Sequence, residues 1–155
     1  MQILQMLISL AVSVVTFAAI YQFVVPLFSG GGVSLRTVPL THKLGFGLGM
    51  SLATTVAQFV LTLLAALTVI PLISLLIASL GATATPLMAI VVSLALGLTL
   101  MQLSNWASTV AMGRWMPQVI NVSSKAAAFK AALAPTLIMG GFYILMMLYF
   151  TPVQS

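Results

Sequence analysis

The sequence predicts an all-α, polytopic membrane domain with about four transmembrane helices, arranged as two consecutive hairpins. Three observations carry that prediction. None of the 155 residues is Asp or Glu, and only five are Lys or Arg. A soluble domain carries charge on about a quarter of its residues, whereas here the share is 3%. Hydrophobic residues make up 62% of the chain and mean hydropathy is +1.26, which suits lipid better than a water-facing shell. Finally, the cations fall in only two segments, each between long apolar stretches.

The first apolar stretch runs from Met1 or Ile3 to Phe28, long enough to cross a hydrocarbon core of about 30 Å. Its polar residues, among them Gln5, Ser13, Thr16 and Gln22, are uncharged, and Pro26 lies near its end, where a helix break costs little. Ala18 and Ala19 offer a signal-peptide cleavage site. Against cleavage, there is no basic segment ahead of them and the apolar run is long, so a retained span is expected. Ser29 to Lys43 then reads as a surface loop: three consecutive glycines from Gly30 destabilise helix, and Arg36, Pro39, His42 and Lys43 follow.

Leu44 to Leu80 is apolar without a charged break. As one helix it would be about 55 Å long, too much for one crossing and slightly too little for two with a turn. The expectation is one tilted or kinked crossing, with Pro71 at the kink and Gly45-Phe46-Gly47-Leu48-Gly49 as a closely packed or interfacial approach. In an alternative version the crossing ends near Ile70 and Leu72 to Leu80 folds back. The first hairpin thus covers about residues 1–80 and the second about 87–150.

Gly81 to Pro86 forms an uncharged turn, with Pro86 suited to the first turn of the next helix and Thr85 to its cap. That helix should run from Leu87 to about Ala111, with Trp106 near a headgroup boundary. Gly113 to Lys130 is the second basic connection and holds Arg114, Lys125 and Lys130. Its last part, Ser123 to Ala132, reads as a short helix capped by Ser123 or Ser124 and running into a final span from about Ala131 to Phe150. Four crossings place both basic connections on one side. By the positive-inside rule that side is cytoplasmic, with both termini and the Gly81–Pro86 turn outside.

The same composition excludes much chemistry. Without carboxylates there is no side-chain pair for general acid–base catalysis and no hard-metal site. Cysteine is absent and His42 is the single histidine, so thiolate and two-histidine metal sites are excluded and no catalytic residue is assigned. Asn121-Val122-Ser123 matches a glycosylation acceptor but falls on the cytoplasmic side. The spans hold no ionisable carboxylate, lysine or arginine, which argues against a cation-coupled carrier acting alone. Five scattered cations do not form a nucleic-acid groove. They have no acidic side chain to neutralise them, so Arg36, Lys43, Arg114, Lys125 and Lys130 are the candidate contacts for phospholipid headgroups. Gly45 with Gly49, and Ala127 with Ala131, repeat the small-xxx-small spacing of close helix contacts, which points to self-association.

A hydrophobic hairpin with a basic cytoplasmic loop and both ends outside resembles the pilins of conjugative type IV secretion systems. The resemblance is one of topology and composition, and this chain has two such hairpins. It implies a non-enzymatic subunit of the bacterial inner membrane, extracted into an extracellular assembly with bound phospholipid, whose Arg36/Lys43 and Arg114/Lys125/Lys130 loops face a lumen or lipid headgroups. The expected partners are phospholipid, further copies of the chain and other membrane subunits. No cofactor beyond bound lipid is implied. Two other classes fit the composition: a pore former such as a holin or small-solute channel, and an accessory subunit of a larger membrane complex.

Overall fold

The computed structural model describes residues 2–79 and 86–150. The Gly81–Thr85 part of the expected turn, Thr85 as a cap, and the Thr151–Ser155 tail lie outside the described residues.

The first stretch is helical throughout but not uniform. Helix α1 (Gln2–Ala19) passes into a π-helical segment (Ile20–Val24) and then α2 (Val25–Ser29). Gly30 ends α2 in the left-handed conformation (φ 60°), with Gly31 following at φ 78°. Only glycine adopts this readily, which is why the glycine run lies here. Ser29 fixes the turn: its Oγ accepts from Val33 N–H at 3.0 Å and lies 3.1 Å from the Val33 carbonyl.

The expected Ser29–Lys43 loop holds a short strand, β1 (Val33–Leu35), and its last residues are helical. Helix α3 (Leu40–Leu67) takes in Gly45 to Gly49, which therefore lie in a regular helix. Thr68 breaks the helix (φ −123°, ψ −61°) before α4 (Val69–Ser79). Pro71 explains the position. Its ring clashes with the carbonyl four residues earlier, that of Leu67, so α3 ends there and Pro71 falls in the first turn of α4. Helix α4 continues from α3: Leu40–Leu75 forms one apolar stretch of 36 residues.

Helix α5 (Pro86–Trp115) opens on Pro86, as expected, and runs beyond Ala111 to include Arg114. Strand β2 (Ile120–Val122) leads to α6 (Lys125–Phe150). The short helix and final span expected from Ser123 are one continuous helix. Ser124 caps it, with its Oγ 3.0 Å from Ala127 N–H.

Strands β1 and β2 pair antiparallel, with Val33 opposite Val122, Ser34 opposite Asn121 and Leu35 opposite Ile120. Bonds from Arg36 N–H to the Val119 carbonyl (2.8 Å) and from Ser123 N–H to the Gly32 carbonyl (2.9 Å) extend the ladder at both ends. The first helical run packs on α3, α3 on α5 and α5 on α6, while α2 reaches across to α6 beside the sheet. The bundle is therefore closed at the strand end. There Phe17, Tyr21, Val25, Val33, Phe46, Met50, Met112, Val119 and Ile120 form the core with Ala127, Ala131 and Ala134.

Polarity is inverted relative to a water-soluble bundle. Gln102, Ser104, Asn105, Ser108, Thr109 and Thr136 are buried, whereas Ile3, Leu4, Phe23, Leu27, Phe59, Leu72 and Phe142 are exposed. Among the described residues, three helical runs are long and apolar enough to cross a membrane: Ile3–Ser29, Leu40–Leu75 and Ile90–Trp115.

Candidate functional site

Two polar features stand out against the apolar exterior. One is the strand end. Because β1 follows α2 and precedes α3, and β2 lies between α5 and α6, their pairing brings both basic connections together. Arg36 follows β1 directly and is exposed; its backbone is held by Val119. His42 and Lys43 lie in the first turn of α3, Arg114 in the last turn of α5, Lys125 at the first residue of α6 and Lys130 further along that helix. Lys43 is half-buried and the other four cations are exposed. All the candidate headgroup contacts thus share one end.

Their placement is informative electrostatically. Arg114 sits where the helix dipole favours a cation. Lys43 and Lys125 sit at helix N-termini, where the dipole disfavours one by a few tenths to about 1 kcal/mol. Helix stability therefore does not explain these two lysines. The Trp106 indole N–H donates to the Lys125 carbonyl at 3.1 Å and its ring packs edge-on to Phe129, tying α5 to the start of α6.

The second feature is a seam of uncharged polar side chains between the helices. Tyr21, in the π-helical segment, is fully buried, hydrogen-bonded to Thr109 and edge-on to Phe46 with ring centroids 5.2 Å apart. Thr109 donates its own proton to the Asn105 carbonyl at 2.7 Å, so Tyr21 is the donor in their bond. Further along, Ser13 and Ser51 share a bond of 2.9 Å, Ser104 donates to Gln58 Oε1 at 2.8 Å, and Asn105 Nδ2 donates to Thr136 Oγ1 at 3.0 Å. A cavity of about 500 Å³ opens along this seam, with Ser13, Ser51, Thr54, Thr55, Gln58 and Asn105 on its polar side.

The small-residue pairs behave differently from each other. Ala127 and Ala131 are buried in the core. Gly49 packs on the Met112 side chain, where a β-carbon would come within 2.6 Å of Cε. Gly45, in contrast, is exposed and faces open space within the chain. The backbone approach in this region is made by Gly47 against Val14. The tightest of these contacts thus lies at Gly47, between the two glycines of the pattern.

Sequence reasoning missed the seam, although a signal was present. Gln5, Ser9 and Ser13 recur every four residues, and Ser51, Thr55, Gln58 and Thr62 recur at steps of four, three and four, each set marking one helix face. Among the described residues no group of metal-ligating side chains occurs. No protein-family model, curated protein or solved structure matches this chain.

Proposed function

We propose that this chain is a non-enzymatic, multi-pass membrane subunit that rests its basic end on anionic phospholipid headgroups and associates with further copies of itself. The observation that carries the reading is the β1–β2 pairing, which gathers Arg36, Lys43, Arg114, Lys125 and Lys130 at one end of an otherwise apolar body. With no carboxylate side chain in the chain, their counter-ions are external, and lipid phosphates are worth about 1 kcal/mol per cation near the surface.

In this reading four passes cross the bilayer: the α1–α2 run, the α3–α4 run, α5 and α6. The fourth is supported by the uncharged segment from Ala131 to Phe150. The strand end then faces the cytoplasm by the positive-inside rule. The outer half of α1, exposed from Ile3 to Val12, supports self-association, since a helix packed on few sides by its own chain has surface to offer another. A place in a conjugative secretion apparatus of the bacterial inner membrane is the assembly that this topology resembles.

Lipid co-purification tests the proposal. Replacing Arg36, Lys43, Arg114, Lys125 and Lys130 by Gln, singly and together, should reduce the phosphatidylglycerol or cardiolipin that purifies with the chain. It should also reduce crosslinked oligomers in native membranes, while Thr99→Val, on an exposed stretch of α5, changes neither. Retention of both lipid and oligomers by the fivefold variant, in its correct orientation, would contradict the reading.

A further inference from the structure

The cavity along the polar seam has a chemistry that headgroup contact at the basic end does not use. Asn105 is fully buried and lines it; with Nδ2 committed to Thr136, its Oδ1 has no hydrogen-bond donor among the described residues. Thr54 lines the same wall, and its Oγ1 is also without a partner. An orphaned buried acceptor is costly, and more so where no water competes. Both atoms therefore call for an added donor.

Depth and access narrow the ligand. Trp106, next to Asn105, bonds the Lys125 carbonyl at the start of α6, so the cavity lies just on the membrane side of the basic end. Towards the strand end the bundle is closed by buried Tyr21, Phe46 and Thr109. On the cavity's lining, Phe59 and Met139 are exposed on the outer surface, so entry is sideways between helices. No charged side chain lines the cavity, so a charged group there would have nothing to offset its desolvation. Phe17, Phe59, Met101 and Met139 supply apolar walls beside the polar ones.

We infer that this cavity is a binding site for a neutral, hydroxyl-bearing amphiphile drawn from the bilayer, of the diacylglycerol type. Its hydroxyl donates to Asn105 Oδ1 and exchanges a second hydrogen bond with Thr54, while its chains leave past Phe59 into the surrounding lipid. Both oxygens are shielded from the cavity, so binding requires the two side chains to turn towards the ligand.

The test uses the full chain in phosphatidylcholine nanodiscs with tritiated 1,2-dioctanoylglycerol, after subtracting uptake by empty discs. Saturable binding is expected. Thr54→Val should weaken it about five-fold, and capping the ligand hydroxyl as the 3-acetyl ester should weaken it about ten-fold or more. Among the described residues the Thr54 hydroxyl has no hydrogen-bond partner, so its loss spares the fold. Thr99→Val, whose hydroxyl bonds only the Ala95 carbonyl on an exposed surface, should leave binding unchanged. Equal binding of the acetyl ester, unchanged binding by Thr54→Val, or absence of saturable uptake would overturn the assignment. So would displacement of the probe by glycerol at equal concentration, because the apolar part would then contribute nothing. A photoreactive residue at position 59 that crosslinks to a second copy, undiminished by dioctanoylglycerol, would show that protein fills the cavity and would also overturn it.

Discussion

A β-carbon at Gly47 would overlap the backbone carbonyl of Val14, so the backbones of α3 and the first helix come into close contact there. Neither backbone can yield as a flexible side chain does. Gly47→Ala is therefore expected to destabilise the bundle by about 1–3 kcal/mol, the range for overpacking. Gly45→Ala, which meets open space, should leave stability unchanged or raise it slightly through helix propensity. Thermal unfolding in detergent, followed by circular dichroism, separates the two. Equal midpoints for both variants would contradict the assigned contact.

Tyr21 offers a second check, on the seam itself. Since Thr109 uses its proton on the Asn105 carbonyl, Tyr21→Phe removes one donor and leaves that back-bond in place. The expected cost is about 0.6–1.7 kcal/mol, the range for such bonds between membrane helices. Thr109→Val should cost a similar amount, and the double variant should cost less than the two singles added. Additive losses would mean that the two hydroxyls are energetically independent.

The side of the membrane is open to direct labelling, because the chain has no cysteine to mask. Single cysteines at Ser34 and Ser123 should resist an impermeant maleimide in intact cells and react after permeabilisation. Cysteines at Thr83 and Ser155 should react without permeabilisation. The reverse pattern would invert the proposed orientation while leaving the fold untouched.

How far the sequence alone reached follows from the kind of signal each feature leaves. Long apolar runs and segregated cations are local and additive, so the helices and the shared side of the basic connections were legible. The break near Pro71 was legible too, though its position at Thr68 needed the clash with Leu67 to be worked through. Strands β1 and β2 were not foreseen, because Val33–Leu35 and Ile120–Val122 are too short for a period-two pattern and pair only with each other across the chain. The GxxxG spacing of Gly45 and Gly49 pointed to this turn of α3 but not to Gly47 between them, since spacing does not tell which face meets the neighbour. The polar seam was readable from Ser51, Thr55, Gln58 and Thr62. It was overlooked because serine and threonine pass without comment in apolar helices, where they bond their own backbone, as Thr55 does to the Ser51 carbonyl.

The two basic connections form one paired unit through β1 and β2, and an engineered disulfide between the strands reports that pairing. Arg36 bonds Val119 and Ser123 bonds Gly32, so Leu35 and Ile120 form a non-hydrogen-bonded pair between them, the closer type in an antiparallel ladder. Cysteines there fall within the span that a disulfide bridges. On mild oxidation in native membranes, the Leu35→Cys/Ile120→Cys variant should lose its free thiols within single chains, as read by alkylation and non-reducing electrophoresis. The offset pair Leu35→Cys/Ser124→Cys should keep them. Retained thiols in the first variant, or bridges formed only between chains, would contradict the paired basic end and the function built on it.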